Sequence, residues 1–162
     1  MEIPGLIILT GIGATATMDL ASLLRRRLLG NPLPNHAFVG RWIAHLSRGQ
    51  FAHDSIAAAE AVRGERAIGW IAHYLIGISF AWLPLAWDAR WFDRPTLLPA
   101  LLAGLITVLA PFLVMQPAMG AGLFACRTPR PGPARLQSLM NHLIFGLGLY
   151  AAALLINIHQ EI

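Results

Sequence analysis

Four stretches of this chain are each long and apolar enough to cross the hydrocarbon core of a bilayer, and nothing else in the sequence restricts the fold as much. A spanning helix needs roughly 20 predominantly apolar residues to cover a core ~30 Å thick. The stretches are Ile3 to Leu24, Ala67 to Trp87, Leu97 to Ala118 and Leu136 to Ile158, and Asp19 is the only Asp, Glu, Lys or Arg among them. With 56% hydrophobic and 12% charged residues over 162 positions, the chain is too apolar for a soluble domain of its size. The expected fold is all-α, a four-helix transmembrane bundle forming a single domain over 1–162.

The formal net charge of +4 would suit nucleic acid, but its distribution points to a lipid bilayer as the partner. The chain has no lysine. Ten of its twelve arginines (Arg25, Arg26, Arg27, Arg41, Arg48, Arg63, Arg66, Arg127, Arg130 and Arg135) lie in the first and third connections, and only Arg90 and Arg94 lie in the second. Because arginines are retained on the cytoplasmic side, the first and third connections are expected inside and both termini in the periplasm. The opening Met1-Glu2-Ile3-Pro4 lacks the positive region of a signal peptide, so the first apolar stretch is expected to remain as a helix. Cys126 is the only cysteine, which excludes an intrachain disulfide. A chain rich in Ala, Arg, Gly and Pro and devoid of Lys fits a GC-rich bacterial genome, and hence a bacterial inner membrane.

The long first connection, residues 25–66, is patterned. Asn31-Pro32-Leu33-Pro34-Asn35 is a break, because proline removes donors and biases the preceding residue away from helix. Val39, Trp42, Ile43 and Leu46 then fall at helical spacing between Arg41, His45 and Arg48, as in a short helix lying on the lipid surface. Asp54 or Ser55 could cap a second short helix through Ala57-Ala58-Ala59-Glu60-Ala61-Val62, ending at Gly64. In the second connection Trp87, Trp91 and Phe92 sit among charges, as at a membrane interface. Pro111 should kink the third span, and Pro117, Gly120 and Gly122 should end it.

Two spans carry the same register: Arg66, His73 and Gly77, then Arg135, His142 and Gly146. Each His lies seven residues beyond its Arg, about 10 Å below the water boundary at 1.5 Å rise per residue. The match suggests two parallel two-helix repeats related by an axis along the membrane normal. Asp19, six residues before Arg25, falls at a similar depth, Gln116 lies at the inner end of the third span, and Asn141 precedes His142. The candidate site is therefore a polar layer of Asp19, His73, Gln116, Asn141 and His142 near the cytoplasmic side.

Ionisable groups inside a membrane are costly and usually serve a pathway or a ligand. An acid and two imidazoles could hold a divalent metal ion, with His73, His142 and Asp19 as ligands and with Met18, Met115, Met119 and Met140 nearby as soft donors. They could relay protons instead. His73 and His142 could also be the axial ligands of a haem, with Gly69, Gly77 and Gly146 leaving room for the macrocycle. The competing reading is packing, since polar side chains also join helices by hydrogen bonds worth about 0.6 to 2 kcal/mol. Thr15, Thr17, Ser79 and Asn157 fit that role. Glycines at i, i+4 spacing, such as Gly11 with Thr15 and His142 with Gly146, let helices approach closely. His36, His45 and His53 fall in the first connection, where a solvated or interfacial role is expected. No Gly-x-Ser-x-Gly elbow or phosphate-binding Gly-Lys loop is present, and without lysine a Schiff-base mechanism is excluded.

Gly11-Ile12-Gly13-Ala14-Thr15-Ala16-Thr17-Met18-Asp19, Val39-Gly40-Arg41-Trp42, the run Gly69 to Gly77, Met115-Gln116-Pro117-Ala118-Met119-Gly120 and His142-Leu143-Ile144-Phe145-Gly146 resemble the bacterial domain-of-unknown-function family numbered 2938. The resemblance covers nearly the whole chain and implies a small polytopic inner-membrane protein, with no catalytic assignment. Three functional readings follow: a site that binds or translocates a small ligand, metal ion or protons; a haem-binding redox protein; or an assembly subunit with a homo-oligomeric or other membrane-protein partner.

Overall fold

The computed structural model describes residues 1–160, and every regular element among them is helical. The main helices are α1 (Ile3–Leu29), α2 (His36–Leu46), α3 (Glu65–Phe80), α4 (Leu97–Thr107), the short α5 (Gln116–Ala118) and α6 (Pro131–Gln160). Four helical stretches, Ile3–Leu29, Glu65–Ala86, Leu97–Ala118 and Pro131–His159, are long and apolar enough to cross a membrane. They coincide with the four expected spans, and this is the composition of a membrane protein. Backbone groups in lipid must be satisfied within the segment, which is why stretches of this kind become helices.

The ends of the elements follow local chemistry. α1 runs past the arginines and stops at Gly30, whose φ of 69° gives the left-handed conformation that closes a helix C-terminus. The residues of the proline break stay non-helical, and Asn35 then caps α2 by accepting from the Ala37 N–H. At Pro111 the third span leaves the α-helical pattern and forms a π-helical turn over Pro111–Met115, as expected where proline removes a ladder donor.

Three expectations are corrected. The second short helix anticipated between residues 55 and 64 is a series of turns. Its carbonyls at Ile56, Ala57 and Ala59 accept from the Arg41 guanidinium, and the Val62 N–H donates to the Glu65 carboxylate. These long-range partners outcompete a local helical ladder. Trp91 is a core residue, fully buried, and its indole N–H donates to the Thr96 carbonyl. Thr15, Thr17 and Ser79 donate to carbonyls four residues back in their own helices, so they are not interhelical ties in these bonds. Asn157 does tie segments together, donating to the carbonyls of Phe92 and Asp93.

The chain forms two compact units. The first comprises Met1–Leu33, Tyr74–Thr107 and Met140–Ile162. Its core joins Leu6 and Ala14 of α1, Ala81, Trp91, Phe92, Ala100 and Ala103, with Phe145, Leu149 and Ala153 of α6. The helices meet at glycines, where no side chain keeps the backbones apart. A methyl group on Gly77 would fall 2.0 Å from Thr15 Oγ1, and one on Gly146 would fall 2.7 Å from the Ala100 carbonyl oxygen. The second unit comprises Pro34–His73 and Val108–Leu139. It contains α2, the start of α3, the turns between them, the π-helical turn and the third connection.

Candidate functional site

In the second unit, α2 crosses the start of α3 at two glycines. A methyl on Gly40 would lie 1.8 Å from the Glu65 carbonyl oxygen, and one on Gly69 would lie 1.8 Å from the His36 carbonyl oxygen. Both positions therefore accept only glycine without moving backbone. The crossing brings the first residue of α2 over the second turn of α3. The His36 and His73 rings lie 4.3 Å apart between centroids, tilted by 37°. Trp70, one turn before His73, packs against both, at 4.2 Å from His36 and 5.8 Å from His73. Both imidazoles are half-buried.

The same crossing is locked by Arg41, which is 8% exposed. Its Nε and Nη2 each donate to one Glu65 carboxylate oxygen at 2.8 Å, a two-pronged pairing that suits the planar guanidinium. Its Nη1 donates to the carbonyls of Ile56 and Ala59, both at 3.0 Å. The hydrogen bond to Glu65 and the nearby negative charge outweigh burial and raise the Arg41 pKa further, so this side chain stays charged at any accessible pH. Glu65 opens α3 and Arg41 lies in the middle of α2, so the ion pair holds His36 and His73 in register.

Of the residues singled out in the sequence, His73 and Gln116 belong to the second unit, and Asp19, Asn141 and His142 to the first. Gln116 donates from Nε2 to Ser138 Oγ at 3.2 Å, and its Oε1 is buried with no hydrogen-bond partner among the described residues. Asp19 accepts from the Tyr74 hydroxyl at 3.2 Å, and Tyr74 is the residue that follows His73. Asn141 accepts from the Arg25 guanidinium, which also donates to Ser22. His142 Nδ1 lies 2.9 Å from Thr107 Oγ1. That hydroxyl spends its only proton on the Gly104 carbonyl, so the imidazole Nδ1–H is the donor and the lone pair of the neutral ring falls on Nε2.

The glycines beside His73 and His142 pack helices. The space next to Gly69 is filled by the α2 backbone, that next to Gly77 by Thr15, and that next to Gly146 by the backbone around Ala100 and Leu101. They do not provide the room for a macrocycle that their sequence positions suggested.

Sequence reading missed His36 as the neighbour of His73. The signal lay in the Asn35 cap and in the glycine pair: a capped helix beginning at His36 with Gly40 one turn in, and Gly69 one turn before His73. It also missed the contact between His45 and His53, whose ring nitrogens lie 2.7 Å apart.

No curated protein and no solved structure matches the chain. The family model described as "Protein of unknown function (DUF2938)" matches residues 8–156, nearly the whole length, including at least part of every helix and all of the candidate site residues, and the chain belongs to that family.

Proposed function

We propose that this chain is a multi-pass protein of a bacterial inner membrane that binds a divalent transition-metal ion near the cytoplasmic side, with His36 and His73 as imidazole ligands. The observation that carries this reading is the half-buried imidazole pair 4.3 Å apart between ring centres, held by a glycine crossing that admits no side chain. Imidazole nitrogen is a favoured donor for zinc, copper, nickel and iron, and rings this close need only a small rotation to aim one nitrogen each at a shared ion.

His142 stands outside the set because it is not among the ligand groups that lie together around His73. The arginine distribution supports placing the first and third connections in the cytoplasm and the termini in the periplasm.

The test is metal-dependent stabilisation of detergent-purified protein. A ligand that binds only the folded state raises stability by RT ln(1 + [L]/Kd). Zinc or nickel should raise the melting temperature of the wild type, His36→Ala and His73→Ala should each abolish the shift, and His142→Ala should leave it intact. No metal-dependent shift in the wild type, or an undiminished one in His36→Ala and His73→Ala, would refute the proposal.

A further inference from the structure

His45 and His53 form a second histidine pair in the second unit. Both are buried, at 3% and 8% exposed, and His45 Nδ1 lies 2.7 Å from His53 Nε2. Nitrogens at that distance share one proton, so one ring donates and the other accepts. The remaining ring nitrogen of His53, Nδ1, is buried and has no hydrogen-bond partner among the described residues. Buried polar atoms are nearly always paired, and an unpaired one calls for a missing partner.

His53 lines a cavity of about 480 Å³. Its polar wall is completed by Gln50, Asp54, Ser55 and Arg127, and its apolar wall is made of three alanines and Pro117. The wall is anchored by backbone bonds. The His53 N–H donates to the Ala118 carbonyl at 2.9 Å, and the Ile56 N–H donates to the Met119 carbonyl at 3.1 Å. Gly120, at a φ of 92°, closes against this segment, where a methyl would fall 2.1 Å from the Asp54 carbonyl oxygen. On the other side the Arg127 N–H donates to the Ala121 carbonyl at 2.8 Å.

Asp54 and Arg127 carry opposite charges on this one cavity, yet no ion pair joins them to each other or to any other described residue. A small ligand bearing both charges would satisfy both groups, whereas an anion alone would leave the Asp54 carboxylate facing it. We infer that the cavity binds a small zwitterion of the α-amino-acid type, its carboxylate held by Arg127 and His53 Nδ1–H and its ammonium group by Asp54. A carboxylate on Nδ1–H requires His53 Nε2 to accept, and the His45 Nδ1–H supplies that bond. His45 is thus a positioning residue that fixes the tautomer of His53. The three alanines favour a short side chain on the ligand. This inference shares no residue with the proposed metal site.

The test is calorimetric titration of the full chain in detergent, with EDTA present so that metal binding does not contribute. The probe is L-alanine, with acetate and ethylamine as single-charge controls. L-Alanine should bind saturably, and each control should bind at least about tenfold more weakly, a difference of about 1.4 kcal/mol. Arg127→Gln and Asp54→Asn change exposed side chains outside any ion pair, so their circular dichroism should match the wild type while L-alanine affinity falls about tenfold or more in each. Absence of L-alanine binding, acetate binding as tight as L-alanine, or unchanged affinity in both variants would overturn the inference. The wild-type comparison of probes stands whether or not the variants fold.

Discussion

Arg41 organises more of the second unit than any other single side chain. Its guanidinium gives two donors to Glu65 and turns the carbonyls of Ile56, Ala57 and Ala59 towards itself, which fixes the turns between α2 and α3. Lysine keeps the charge but has no planar fork, so it cannot serve the carboxylate and the carbonyls together. Arg41→Lys should therefore lower the melting temperature and expose residues 53–64 to limited proteolysis, whereas a protein that keeps wild-type protease resistance would show the fork to be dispensable. In the sequence Arg41 reads as the polar face of an amphipathic helix, whereas in the fold its side chain is buried among hydrogen-bond partners. The bonds that dismantle the expected second helix were not legible, because an alanine-rich run with a good cap favours helix locally and only the folded partner overrides it. The hydroxyls of Thr15, Thr17 and Ser79 show the reverse error: their spacing allowed an interhelical role, but a carbonyl one turn back was nearer.

Helices in this protein are placed by glycine. Gly77 of α3 meets α1 at Thr15, and Gly146 of α6 meets α4 at Ala100 and Gly104, so the two spans that share the Arg, His and Gly register also share a mode of packing on the preceding span. That much follows from i, i+4 spacing of small residues, and it was legible. The Gly40 and Gly69 crossing was not, because pairing a surface helix with a span needs the path of the intervening turns. Gly69→Ala would drive a methyl into the His36 carbonyl, forcing α2 off α3. Overpacking of this kind typically costs about 1–3 kcal/mol. The expected outcome is a lower melting temperature together with loss of the metal-dependent shift, and a variant that keeps the full shift would uncouple the crossing from the site. The third span adds a smaller lesson: Pro111 announced an irregularity, but its form, a π-helical turn leading into Gln116, was set by the backbone bonds that remained.

For the whole molecule, the four apolar stretches constrain the fold, and the arginine asymmetry is the basis of the proposed orientation. The spans were legible to within a few residues because hydrocarbon leaves the backbone few alternatives. The grouping of polar residues was less so. Depth along a helix can be counted from a boundary arginine, but the direction a side chain faces depends on packing, and His36 entered the candidate site from a different helix altogether. The orientation has its own check. Cys126 is the sole thiol and is exposed in the third connection, so a membrane-impermeant maleimide should label it in inverted membrane vesicles and not in intact cells with a permeabilised outer membrane. Labelling in intact cells would reverse the proposed topology.

The most direct measurement of the central claim is elemental analysis for zinc, copper, nickel and iron on protein purified without chelators, beside the His36→Ala, His73→Ala double variant and the His142→Ala variant. Stoichiometric metal in the wild type and in His142→Ala, lost from the double variant, is the predicted result. Metal-free wild type that stays metal-free after incubation with each ion, or metal retained by the double variant, would contradict it.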